Sequence, residues 1–308
     1  MNEPIRRARP LRPRRGGLFL FFLLPAWALS GCGGGPPVKK AAPLSQAERD
    51  LFQETEMNLK AGRETWWASW KKIAAKPDRA ELFAKGLVAW LFRDFSRKGV
   101  SPDLFGTFLE KDPRGLVWKR VLAGLGRMGD PAARVVMLFI RRGRDPIARG
   151  MGAQIAGRMG PSMVPALVKE LKEGPPLAAA ASADALGYHK ESPQAGKALL
   201  EAAAGARDYR VQGAALRALG RFGGPDARAV LVETLQTAKE PFLVLEAAKG
   251  LGLLGEKKTV PALISALEKA VLRGDRRLAR VVEKSLQEIT GRRFGPRAEL
   301  WRVWWARE

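Results

Sequence analysis

The sequence predicts an all-α chain, an α-solenoid of stacked helix pairs, on three observations. A five-residue phrase recurs at nearly constant spacing, the stretches between its copies carry apolar residues at the helical period, and proline and glycine punctuate those stretches. The phrase reads LGRMG at Leu125 to Gly129, AGRMG at Ala156 to Gly160, LGYHK at Leu186 to Lys190, LGRFG at Leu219 to Gly223 and LGLLG at Leu251 to Gly255, with a degenerate LQEIT at Leu286 to Thr290. Its second residues fall at 126, 157, 187, 220, 252 and 287, so the spacings are 31, 30, 33, 32 and 35. Self-similarity at such a period marks a repeat architecture.

At the amino terminus six arginines, Arg6 to Arg15, precede the unbroken apolar run Leu18 to Leu24, which continues to Leu29. About a dozen apolar residues are too few to span a ~30 Å hydrocarbon layer, so residues 1–31 read as an export signal. The signal ends in Leu29 Ser30 Gly31 Cys32, which resembles the lipobox of bacterial lipoproteins: a branched apolar residue, two small residues and the cysteine that is acylated. The resemblance implies cleavage after Gly31, a lipid on Cys32, and a membrane lipid anchor at the cell envelope. Several acyl chains satisfy the two-signal requirement for stable anchoring. Gly33 stands where many inner-membrane lipoproteins of enteric bacteria carry Asp, so the outer membrane is favoured. Residues 32–43 mix glycine and proline without an apolar period and read as a flexible tether.

Residues 44–112 lack the phrase but read as helices, SQAERDLFQETEMNLKAG, RETWWASWKKIAAK, PDRAELFAKGLVAWLFRDFSRKG and SPDLFGTFLEK. Ser45 and Glu48 have the capping-box spacing. Trp66, Trp67, Trp70 and Trp90 fit a helical cap on the first repeat better than an aromatic ligand groove.

Within residues 113–290, each phrase ends an apolar helical stretch, such as YRVQGAALRALGRF. After most phrases comes a turn and a second stretch, such as PDARAVLVETLQTA. Apolar residues three and four apart mark helices; proline in a first turn loses no hydrogen bond, and glycine closes the last turn. A helix pair this short cannot bury both faces alone, so neighbours must stack into one continuous solenoid. The pattern resembles the HEAT-like repeats of bacteria, the class that includes the repeats of phycobilisome lyases. Residues 291–308 resemble the cap that closes many such proteins, with Trp301, Trp304 and Trp305 covering the last repeat.

One Cys and one His rule out an in-chain disulfide and leave too few ligands for a His/Cys zinc site. No metal or cofactor is expected. A catalytic nucleophile needs a base within reach, and His189, expected on a surface turn, has no nucleophile beside it that the sequence can place. Glu170 and Glu173 sit among Lys169 and Lys172 and read as a solvated helix face. GLGLLG at Gly250 to Gly255 matches a dinucleotide fingerprint by spelling alone, because no strand precedes it. The chain reads as a scaffold and not as an enzyme.

The charge is strongly basic, with 54 Lys and Arg against 31 Asp and Glu. Without residues 1–31 the balance is still 48 to 30. An exported, tethered chain rarely meets nucleic acid, so a protein partner is expected, with acidic lipid or glycan surfaces as the alternative. Solvated helix faces explain the excess equally well. A lyase-like module assisting an enzyme is the other competing class. Aligning the repeats gives two columns. Three residues before each phrase's second residue stand Leu122, Gln154, Asp184, Arg217, Lys249 and Lys284; one residue after it stand Arg127, Arg158, Tyr188, Arg221, Leu253 and Glu288. The second helix of each HEAT pair lines the concave face, so that resemblance puts the first column toward a ligand. Arg217, Lys249, Arg277 and Arg280 are therefore the candidate partner-binding residues.

Overall fold

A computed structural model gives the fold and describes residues 42–96, 109–110, 115–141 and 146–308. The export signal, Cys32 and most of SPDLFGTFLEK lie outside the described residues. Contacts gather Leu44–Glu308 into one unit. Among the described residues it holds fifteen α-helices, two short 3-10 turns and no strand.

The first helix, α1 (Gln46–Ala61), starts where the sequence predicts: the Ser45 hydroxyl accepts from the Glu48 amide while the Glu48 carboxylate accepts from the Ser45 amide. It ends at Gly62 in the left-handed conformation that a side chain disfavours. Helices α2 (Thr65–Ala74) and α3 (Pro77–Ser96) follow. Trp70 and Phe52 meet Phe83 of α3 in the core, and the Trp90 ring lies edge-on to Trp118 of the next helix, 6.3 Å between centroids. These aromatics close the first repeat.

The repeats run as α4 (Gly115–Met128), α5 (Asp130–Arg141), α6 (Pro146–Ala156), α7 (Val164–Glu173), α8 (Pro176–Leu186), α9 (Pro193–Gly205), α10 (Tyr209–Phe222), α11 (Pro225–Thr237), α12 (Pro241–Leu254), α13 (Val260–Leu272) and α14 (Arg276–Thr290). Five of them begin on proline, at Pro146, Pro176, Pro193, Pro225 and Pro241. Each phrase falls at the carboxyl end of an even-numbered helix from α4 to α14. The even-numbered helices form one layer and α5, α7, α9, α11 and α13 the other. A core of Ile140, Ile155, Leu186, Leu199, Leu216, Leu231, Leu251 and Leu267 lies between them. The tighter pairing joins each odd helix to the phrase helix that follows it, which makes the phrase helix the second of its pair.

The recurrent glycine has a packing reason. A Cβ on Gly126 would lie 1.6 Å from the Met159 carbonyl oxygen, and one on Gly220 would lie 2.1 Å from that of Gly250. Any side chain would force the phrase helices apart, so the small residue sets how closely they approach. From α6 to α14 the phrase helices pack on one another more extensively than the odd helices do, most of all α10 on α12. The closer-packed layer lies on the concave side of such a stack.

At the carboxyl end α15 (Ala298–Trp305) lies against α13. Trp301 is fully buried, meets Phe294 edge-on at 4.9 Å and donates its indole N–H to the Gly295 carbonyl at 2.9 Å. Burying about 200 Å² of indole contributes about 5 kcal/mol.

Candidate functional site

The phrase helices carry a continuous polar ladder on the close-packed layer. At its start, beside α6, Arg158 donates to the backbone and side-chain oxygens of Gln154. The Tyr188 hydroxyl, in the turn after α8, donates to the same Gln154 Oε1 at 3.1 Å. Two guanidiniums lie against the Tyr188 ring, Arg158 at 4.3 Å and Arg221 at 5.3 Å from its centroid, close enough for cation–π attraction. Asp184 of α8 then accepts from both arginines of α10, from Arg217 at 3.1 Å and from Arg221 at 3.2 Å. Arg217 also donates to Glu246 of α12, whose other oxygen accepts from Lys249 at 2.8 Å.

Glu246 is the anchor of this ladder. Its side chain is only 4% exposed, and a carboxylate buried that deeply needs full pairing. Burial disfavours the charge on Arg217, but Asp184 and Glu246 outweigh it and hold the guanidinium's pKa above its ordinary value. The ladder places four cations against two carboxylates. It leaves Arg158, Tyr188, Arg221 and Lys249 half-buried, each with a solvent-facing edge. Such a surface offers fixed donors and positive charge over several repeats, with no nucleophile beside a base.

The candidate residues fall in two places. Arg217 and Lys249 meet on Glu246 inside the ladder, so Arg217 holds the stack together whatever else it touches. Arg277 and Arg280 are exposed on the first two turns of α14 and make no ion pair among the described residues. Glu246 escaped the column alignment because it stands one helical turn before Lys249 and not in either column. The i to i+3 spacing of opposite charges was its only trace in the sequence.

Two expectations are corrected. His189 is in a turn but is buried, 8% exposed, facing the Ala156 carbonyl of the preceding repeat, with Nε2 lacking a partner. Burial is the main cause that lowers its pKa below the ordinary value, and the contact with Ala156 opposes it. Turn composition tells nothing of which way a side chain points, and this one points inward between repeats. Glu170 is 2% exposed and not on a solvated face. Gly174 leaves room for its carboxylate to fold over the end of α7, and Arg141 of α5 pairs with it at 2.6 Å. Glu173 is exposed as expected.

The dinucleotide-like spelling has no phosphate-binding turn. Gly250 and Gly252 lie inside α12, where a Cβ at 250 would meet Leu231 and the Leu216 carbonyl, and Gly255 caps the helix with φ 71°. No cluster of three or more His, Cys, Asp or Glu among the described residues is arranged to hold a metal ion. Likewise, no described helix is long and apolar enough to cross a membrane.

A family model of HEAT repeats matches residues 164–248, and one of the PBS lyase HEAT-like repeat matches residues 244–269. Together the matches run from α7 to α13 and take in the ladder from Asp184 to Lys249, leaving Gln154 and Arg158 before them. No curated protein matches the chain.

Proposed function

We propose that the chain is a lipid-anchored scaffold of the cell envelope, held by acylated Cys32, that grips a protein partner across the ladder face of its phrase helices. HEAT-type helical repeats build extended surfaces of this kind from side chains spread over many repeats. The ladder carries the reading. Arg217, Arg221 and Lys249 outnumber the two carboxylates they share, Asp184 and Glu246, the polar groups are locked by one another, and the solvent-facing edges follow the close-packed layer. A partner with an acidic face meets donors that are already positioned, so little side-chain freedom is lost on binding.

A photoreactive residue replacing Lys249 tests this against one replacing Leu138, which is exposed on α5 in the other layer. Irradiated in intact envelopes, the first should give a discrete cross-linked protein and the second should not. Equal products from both positions, or none from position 249, contradict the reading.

A further inference from the structure

The first turns of α14 carry charge that helix formation alone does not favour. Arg276, Arg277 and Arg280 are exposed there, preceded by exposed Arg273, and the first turn holds no acidic residue. The amino end of a helix is the positive end of its dipole, so cations in this place are unfavourable and acids are the usual occupants. Nearby carboxylates have other partners. Asp275 caps the helix by accepting from the Leu278 amide at 2.9 Å, Glu283 accepts from Gln287 at 2.8 Å, and Glu268 pairs with Arg302. None of the four arginines makes an ion pair among the described residues.

Directly beside them Leu272 ends α13 with 87% of its surface in water, the most exposed of the large apolar residues described. A depression of about 440 Å³ opens at the start of α14, lined by Ala270, Val271, Ala279 and Pro296 together with Arg276 and Arg280 and the carboxylates of Asp275 and Glu283. An exposed apolar side chain next in the chain to a cluster of four arginines, which outnumber the two carboxylates among them, matches a partner that is negative outside and apolar beneath. An acidic polypeptide would satisfy the arginines but would cover Leu272 only by also presenting an apolar side chain at that point. A bilayer containing anionic lipids satisfies both, with guanidiniums at the phosphates and Leu272 at the headgroup–acyl boundary.

We infer that this edge of the last repeat, Leu272 with Arg273, Arg276, Arg277 and Arg280, docks on the surface of an anionic lipid bilayer. Such docking goes beyond the anchored-scaffold reading and does not depend on Cys32 being acylated. Each arginine near the surface strengthens partitioning about fivefold, so the four together amount to several hundredfold at low salt. The interaction weakens as salt shortens the screening length.

The test uses the full chain with Cys32→Ser, so that a single new cysteine carries an environment-sensitive fluorophore, at Leu272→Cys or at Lys258→Cys by the opposite end of α13. Vesicles of 30% phosphatidylglycerol in phosphatidylcholine should shift the emission at position 272 to the blue in low salt and leave position 258 unchanged. The shift should vanish on pure phosphatidylcholine and when the four arginines are replaced by serine; all four are exposed, and circular dichroism checks that the variant stays folded. No shift at 272, an equal shift at both positions, or a shift that survives the arginine replacements overturns the proposal. A response to polyglutamate that matches or exceeds the response to vesicles also overturns it, in favour of an acidic polypeptide. Because the fluorophore reports one position in a chain that cannot be acylated, failure here is separate from failure of the anchor at Cys32.

Discussion

Gly220 of α10 meets the backbone of Gly250 of α12 so closely that a Cβ on Gly220 would sit 2.1 Å from the Gly250 carbonyl oxygen. The contact is backbone to backbone, so no side chain can move aside to relieve it. Gly220→Ala gains about 1 kcal/mol of helix propensity but must push two helices apart, at a cost of 1–3 kcal/mol or more. A net destabilisation of up to about 2 kcal/mol or more is expected from chemical denaturation, whereas Ala for Gly205, which has open space at its Cβ, should be neutral or stabilising. Equal effects at the two positions would remove the packing reason given for the phrase.

Arg217 and Lys249 should behave differently although they stand in the same column. Arg217→Ala strips a partner from both Asp184 and the buried Glu246, and breaking a buried pair costs about 3–5 kcal/mol. Lys249 is 42% exposed on its side chain, and Lys249→Ala should cost less than about 1 kcal/mol. Thermal unfolding of the two variants checks this. For the same reason Lys249, and not Arg217, is the residue at which weakened partner capture can be read without a loss of fold.

His189 is the chain's single histidine, so acidification between pH 7.5 and 5.5 reads it almost alone among side chains. Burial holds its folded pKa below the ordinary value of 6.5. The unfolded chain therefore binds the proton first, and stability is complete above pH 6.5 and lost as pH falls through the folded value. Melting temperature should decline over this range in the wild type and stay flat in His189→Gln. A second decline belongs to Glu48, whose pKa is lowered from 4.5 to about 2 by the Ser45 amide and by Lys76. The stability it lends is present above pH 4.5 and lost as pH falls toward 2, and Glu48→Gln should remove that part.

Much of this architecture was legible because the phrase is a packing device. Glycine at 126, 157, 187, 220 and 252 marks where phrase helices touch, and the period follows from one helix pair per repeat. Ser45 and Glu48 gave the start of α1, and Trp301 gave the cap, since both rest on local spacing. The ladder was only half legible. Its cations stood in the aligned columns, but their partners, above all Glu246, depend on how neighbouring helices are rotated against each other. His189 and Glu170 were misplaced for a related reason: each is covered by a residue from another repeat, Ala156 or Arg141, about thirty positions away in the chain. No local pattern carries that information.

The anchored-scaffold reading meets its most direct test at Cys32. The mass of the mature protein and its partition between membrane and soluble fractions should be measured for the wild type and for Cys32→Ser. A mature wild-type chain that begins at an acylated Cys32 and stays in the membrane fraction, with a variant that is uncleaved or released, is the predicted result. An unmodified Cys32 in the mature chain, or a variant with the mature mass that still partitions with membranes, would contradict it.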